Sequence, residues 1–195
     1  MHTTKPTIHP RFALAFLVIL TLFAHVPAQA SPQIEWKAPG FEIAEPDGTI
    51  FQYPGSLENP TIILFWATWC PYCKSLMPHL QSIIDEYRGQ VQVLAFNFKD
   101  DDDPATYISD RGYDFKLILN SEQVAESWGV KGTPGLFLAD PTGRVVFSHR
   151  AIPAEAYTQD PSEDTGQLKH YQKAARVAPF WAAQLRIAID QLLEE

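Results

Sequence analysis

The chain has 195 residues, two cysteines, 23 acidic against 15 basic side chains and a formal net charge of −8 at pH 7. That length suits one domain with accessories, and an apolar share of 46% is enough to build a core. The acidic balance argues against nucleic acid and anionic membrane surfaces as partners, and two cysteines cannot make a framework of structural disulfides.

Residues 1–30 read as a secretory signal peptide. Lys5 and Arg11 form a basic start, Phe12 to Ala24 is an apolar run, and Ala28-Gln29-Ala30 is a small-residue cleavage site. The run is shorter than the about 20 apolar residues needed to cross a bilayer. Cleavage after Ala30 leaves a domain of residues 31–195 in the periplasm, where disulfides persist. An uncleaved N-terminal membrane anchor is the alternative. Cleavage removes two basic residues and no acid, so the mature chain is more acidic still.

Phe41 to Tyr53, with Pro46-Asp47-Gly48 at its centre, reads as a β-hairpin, since Asp-Gly is a strong turn signal. Thr61 to Ala67 is an apolar, β-branched and aromatic run, the pattern of a buried strand. From Lys74 to Tyr87 the apolar residues Leu76, Leu80, Ile83, Ile84 and Tyr87 fall at helical spacing, and Gly89 ends the helix. Val91 to Phe98 is a second buried strand. Asp103 and Pro104 then form an N-cap and first-turn pair for a helix to about Arg111. The acidic run Asp100 to Asp103 lacks the spacing and glycine of a calcium loop and reads as solvated. Lys116 to Leu119 is a short strand, Asn120 or Ser121 caps a helix to Trp128, and Gly129 stops it. Leu136 to Ala139 and Arg144 to Ser148 form a hairpin about Asp140 to Gly143. Residues 151–178 read as a loop insertion, polar at first, with a short helix from Leu168 to Val177. Phe180 to Leu193 is a final amphipathic helix.

Between the first buried strand and the first long helix lies Trp69-Cys70-Pro71-Tyr72-Cys73, which holds the only two cysteines. At this spacing they can close a small disulfide ring or remain a dithiol, which points to reversible exchange. Cys70 falls at a helix start, where unpaired N–H groups and a partial positive charge favour a thiolate. It is therefore the expected nucleophile, exposed, with Cys73 one turn deeper as the resolving thiol. Zinc is disfavoured because His79, His149 and His170 are the only histidines past the leader and none stands at ligand spacing. A Cu(I) thiolate carrier, an inert buried pair and a non-catalytic module of an envelope complex remain as alternatives.

Phe65-Trp-Ala-Thr-Trp-Cys-Pro-Tyr-Cys73, Pro78 in the following helix and Gly129-Val-Lys-Gly-Thr-Pro134 resemble the TlpA/ResA/DsbE branch of exported thioredoxin-like proteins. The resemblance implies an α/β thioredoxin fold, a central mixed β-sheet flanked by helices, with the N-terminal β-hairpin as an extension. It also implies that Pro134 is cis and packs on the cysteine pair, and that Thr133 offers backbone hydrogen bonds to an extended substrate chain. Trp69, Pro71, Tyr72, Thr133 and Pro134 are then the substrate contacts and Cys70 and Cys73 the catalytic pair, with no metal or organic cofactor. The partners implied are protein thiols or disulfides and a membrane-bound electron donor or acceptor. Two positions depart from the pattern: Leu64 and Leu76 stand where these proteins carry acids that move protons to and from the buried thiol.

Export makes a direct prediction. N-terminal sequencing of the secreted protein should begin at Ser31; a product that keeps Met1 and sediments with membranes would establish the anchor instead.

Overall fold

The computed structural model describes residues 2, 34, 36–44, 48–157 and 168–194; the leader apart from His2 and residues 158–167 of the insertion lie outside these. Among the described residues, eight strands and four α-helices follow one another as β1 (Trp36–Lys37), β2 (Phe41–Ala44), β3 (Ile50–Tyr53), β4 (Thr61–Trp66), α1 (Pro71–Tyr87), β5 (Gln92–Asn97), α2 (Pro104–Ser109), β6 (Lys116–Ile118), α3 (Glu122–Ser127), β7 (Gly135–Ala139), β8 (Arg144–Ser148) and α4 (His170–Leu193). The main sheet has the order β1-β8-β7-β4-β5-β6, with β4, β5 and β6 parallel and β7, β8 and β1 antiparallel to their neighbours. This is the thioredoxin-like arrangement, and β2 and β3 form the expected separate hairpin. Of its Pro46-Asp47-Gly48 turn, only Gly48 is described, at φ 85°.

Every residue of β4 is buried, because the strand is paired on both edges and covered on both faces. Ile62, Leu64 and Trp66 face a core shared with Leu76, Leu80 and Ile83 of α1 and Trp181, Leu185 and Ile189 of α4. Ile63 and Phe65 face a second core with Phe96, Trp128, Phe137 and the hairpin residues Phe51 and Tyr53. Full burial of such side chains contributes about 1.5–3 kcal/mol each. The far ends of α1 and α4 are tied by Tyr87, which donates to Asp190 at 2.6 Å, and by the Arg186–Glu86 ion pair at 2.7 Å.

Two elements differ from the sequence reading. Trp36 and Lys37, which the sequence reading assigns to no element, pair with Val145 and Arg144 as β1; two residues are too few to show a strand period. The short helix at 168–177 and the final helix from Phe180 are one continuous α4, with Pro179 inside it. A proline removes one helix hydrogen bond. Here the buried face carries on past it, through Ala174, Ala178, Trp181 and Ala182, and that packing outweighs the lost bond. Residues 149–151 and 154–157 form two 3-10 turns.

The hairpin is held to the sheet at one turn. Tyr53 donates to the Gly143 carbonyl at 2.9 Å. Gly143 has φ +82°, and a Cβ there would run into Pro54 Cβ. Gly143→Ala should therefore cost about 2–4 kcal/mol, strain and overpacking together, read as a lower urea midpoint; an unchanged midpoint would show that the hairpin yields freely.

Candidate active site

Cys70 and Cys73 are joined in a disulfide with a Cα–Cα distance of 5.3 Å. The site begins where β4 ends. Ala67 accepts from Cys70 N–H at 3.1 Å, closing the turn that aims the chain into α1. Cys70 is the N-cap, in extended conformation, and its Sγ accepts from Cys73 N–H at 3.1 Å, while Pro71 fills the first helical position, where no N–H is needed. The helix-start placement read from the sequence thus holds. The expected exposure of Cys70 does not: it is 2% exposed, against 0% for Cys73. As a cap its side chain folds back over the first turn, into the apolar cluster that holds Cys73, Trp66 and Leu136.

A carboxylate holds the turn before Cys70. Asp100 accepts from Thr68 N–H and from Thr68 Oγ1, each at 2.6 Å, and from Asn97 Nδ2 at 2.7 Å. Thr68 Oγ1 also lies 2.9 Å from Asp102 Oδ2. Burial pushes the Asp100 carboxyl up, but the hydrogen bonds from Thr68 and Asn97 outweigh it and hold the group below the usual carboxylate range. Trp69, the residue before Cys70, donates its indole N–H to the Lys99 carbonyl at 2.8 Å and is 55% exposed. So half of the acidic run that reads as solvated is built into the active-site turn. The only sequence sign of this was Thr68, a hydroxyl with a backbone to satisfy, two residues before Cys70.

The second half of the site comes from β7. The Thr133–Pro134 peptide bond is cis. Gly135 pairs with Phe65, so Thr133 and Pro134 run past the end of β4 on the edge from which the Thr68–Cys70 turn springs. A Cβ on Gly135 would meet Phe65 Cβ at 3.2 Å and Val130 Cγ1 at 3.0 Å, which is why that position is bare. Pro134 is buried, Thr133 half-buried, and the Thr133 hydroxyl is enclosed with no hydrogen-bond partner. Tyr72 is half-buried rather than open, with its ring 6.1 Å from Trp181 and 6.3 Å from His170, both on α4. Leu64 and Leu76 are both completely buried.

His149, which no motif singled out, lies directly behind the cis-proline strand. Its Nδ1 is 3.2 Å from Leu136 N and 3.3 Å from Leu136 O, and its ring is edge-on to Trp181 at 4.9 Å. Burial pushes the imidazole down to about 4, the Leu136 backbone opposing and the Arg150 charge assisting. The ring is therefore neutral at pH 7, with Nδ1 turned to the Leu136 backbone.

A mixed sheet, a Cys-x-x-Cys disulfide heading its first long helix and a cis proline leading into the neighbouring antiparallel strand together define a thioredoxin-fold protein. The chain belongs to the AhpC/TSA family, whose profile matches residues 34–148. It is similar, at 30% identity over 97 residues, to the thiol-disulfide oxidoreductase ResA of Halalkalibacterium halodurans, covering 48% of this chain and 55% of that one. It is equally similar, over 111 residues, to the thiol:disulfide interchange protein DsbE of Vibrio cholerae, covering 55% and 58%. The chain thus spans little more than half the length of these two relatives. A DsbE homolog of Paracoccus denitrificans is 30% identical over 137 residues, covering 67% of this chain and 74% of that one. Among solved structures, an uncharacterized conserved protein from Geobacillus kaustophilus superposes with a TM-score of 0.58 at 21% identity, over 84% of this chain and 87% of that one. That likeness concerns the fold alone.

The buried neutral His149 has a linkage consequence. Its folded pKa of about 4 lies below the ordinary 6.5, so its contribution is complete above pH 6.5 and is lost as the pH falls from there toward 4. The loss should reach roughly 3 kcal/mol at pH 4, at about 1.4 kcal/mol per pH unit. Asp100 and Asp140 are both held below 3.8 and keep their contributions through this window. Urea midpoints of the wild type should fall steeply from pH 7 to pH 4, and those of His149→Asn much less; parallel curves would show that His149 is not buried neutral.

Proposed function

We propose that the protein is an exported thiol–disulfide oxidoreductase that exchanges disulfides with protein thiols through Cys70-Pro71-Tyr72-Cys73. The observation that carries this is the disulfide itself: a two-residue-spaced pair capping α1, with a backbone N–H aimed at Cys70 Sγ. The similarity to proteins named ResA and DsbE supports it.

In the oxidising direction, a substrate thiolate attacks Cys70 Sγ. A substrate–Cys70 disulfide forms, the Cys70–Cys73 bond breaks, and Cys73 leaves as a thiolate. A second substrate thiolate then displaces Cys70, so the substrate loses two electrons and the pair gains them. In the reducing direction the Cys70 thiolate attacks a substrate disulfide, and Cys73 then attacks Cys70 Sγ to release the second substrate thiolate. The helix N-terminus and the Cys73 N–H stabilise negative charge on Cys70 in either direction. Trp69, Pro71, Tyr72, Thr133 and Pro134 line the approach, and the substrate strand pairs with the Thr133 backbone. The pair is returned to its working state by a membrane-bound electron donor or acceptor. Cleavage after Ala30 releases the domain, residues 31–195, to the periplasm.

Substitution separates the two sulfurs. Cys73→Ser should accumulate mixed disulfides with partner proteins in cells, visible as bands that vanish on reduction, and Cys70→Ser should not. Equal trapping by both variants, or trapping by Cys70→Ser alone, would reverse the assignment; trapping by neither would remove the exchange reading.

A further inference from the structure

Residues 149–157 lie beyond the segment that aligns with the family, yet they touch both halves of the site. Arg150 Nη2 donates to the Gly132 carbonyl at 3.0 Å, one residue before the cis Thr133–Pro134 bond. His149 is held against Leu136, two residues after that proline. Tyr157 donates its hydroxyl to the His149 carbonyl at 3.1 Å and accepts from the Trp181 indole N–H at 3.1 Å. Trp181 in turn packs edge-on against His149 and lies beside Tyr72, the residue preceding Cys73. A continuous chain of contacts thus runs from the cis-proline turn, through the 3-10 segment, to the dipeptide between the cysteines.

We propose that Tyr157 and Trp181 are positioning residues for exchange with protein substrates: their hydrogen-bonded pair sets Tyr72 against the Gly132–Pro134 turn and so fixes the width and shape of the substrate groove. The Tyr157 hydroxyl is the single atom common to both bonds. It can accept from the indole and donate to the carbonyl only while α4 and the 149–151 turn keep one spacing, and bonds in such a series polarise one another. A protein substrate must lie across Tyr72 and the cis-proline turn together, so a shift between them weakens its alignment. A small disulfide needs only the sulfur. Neither Tyr157 nor Trp181 touches the reacting atoms; both act through Tyr72 and His149.

This inference rests on the exchange reading above, and the test separates the two. The full mature chain is assayed as wild type, Tyr157→Phe, Trp181→Phe and the double variant, with insulin as the protein disulfide and oxidised glutathione as the small one. Either single change should raise KM for insulin about three- to tenfold, the worth of one such hydrogen bond. Meanwhile kcat and the glutathione rate should stay within about twofold. The double variant should be no worse than the worse single one, because both break the same bond. Tyr157→Phe removes one hydroxyl from a partly exposed ring, and Trp181→Phe breaks the bond from the other side, so the result does not hang on one variant folding. An insulin KM that stays at the wild-type value in both, or insulin and glutathione rates that fall in parallel, would overturn the positioning role. A wild-type protein inert toward both substrates would sink the exchange reading, and this inference with it.

Discussion

The whole site depends on one strand being buried from every side. β4 is paired with β5 on one edge and β7 on the other, and its alternate side chains enter the two separate cores. A strand so constrained has no freedom of register, since a one-residue slip would exchange its faces. Its end is therefore a fixed point, and the Thr68–Cys70 turn leaves from that point. The antiparallel partner β7 enters the sheet beside the same end, bringing the Thr133–Pro134 bond with it.

Two polar devices complete what packing begins. Asp100 satisfies the Thr68 backbone and hydroxyl at once, so the turn before Cys70 is bonded rather than loose. An unmade buried bond there would cost about 1–3 kcal/mol. Behind β7, His149 meets the Leu136 backbone and stays neutral. Between them the interior around the sulfurs is apolar, with Leu64 and Leu76 fully buried in the cluster that holds both cysteines. The helix dipole and the Cys73 N–H at the head of α1 bear on Cys70 Sγ, so the two sulfurs stand in different electrostatic surroundings.

The C-terminal segment is more than a cover. α4 packs on α1 and carries Trp181 and His170 to Tyr72, while the 3-10 turns ahead of it hold the cis-proline loop through Arg150. Loops that hold a site need a supporting shell whose own rotamers are locked, and here part of that shell comes from residues outside the segment that matches the family.

The order of elements from β2 to β8, the buried strand, the starts of α1 and α2 and the cysteine pair are readable from the sequence, because each is a local pattern: apolar period, cap residue, turn residue or spacing. Asp103 and Pro104 head a helix as their chemistry requires, and Cys70 caps α1. The likeness of the Gly129–Pro134 segment to known proteins pointed to the cis bond, although nothing in its composition distinguishes cis from trans. What only the tertiary structure decided were relations between residues distant in sequence. Cys70 is buried because its side chain closes over the first turn into a shared core. Asp100 and Thr68 stand 32 positions apart, with no period that links them. Tyr72 is engaged by a helix about a hundred residues downstream. Pro179 sits inside α4 because packing of the apolar face outweighs the lost hydrogen bond, a comparison of energies that local propensity cannot make.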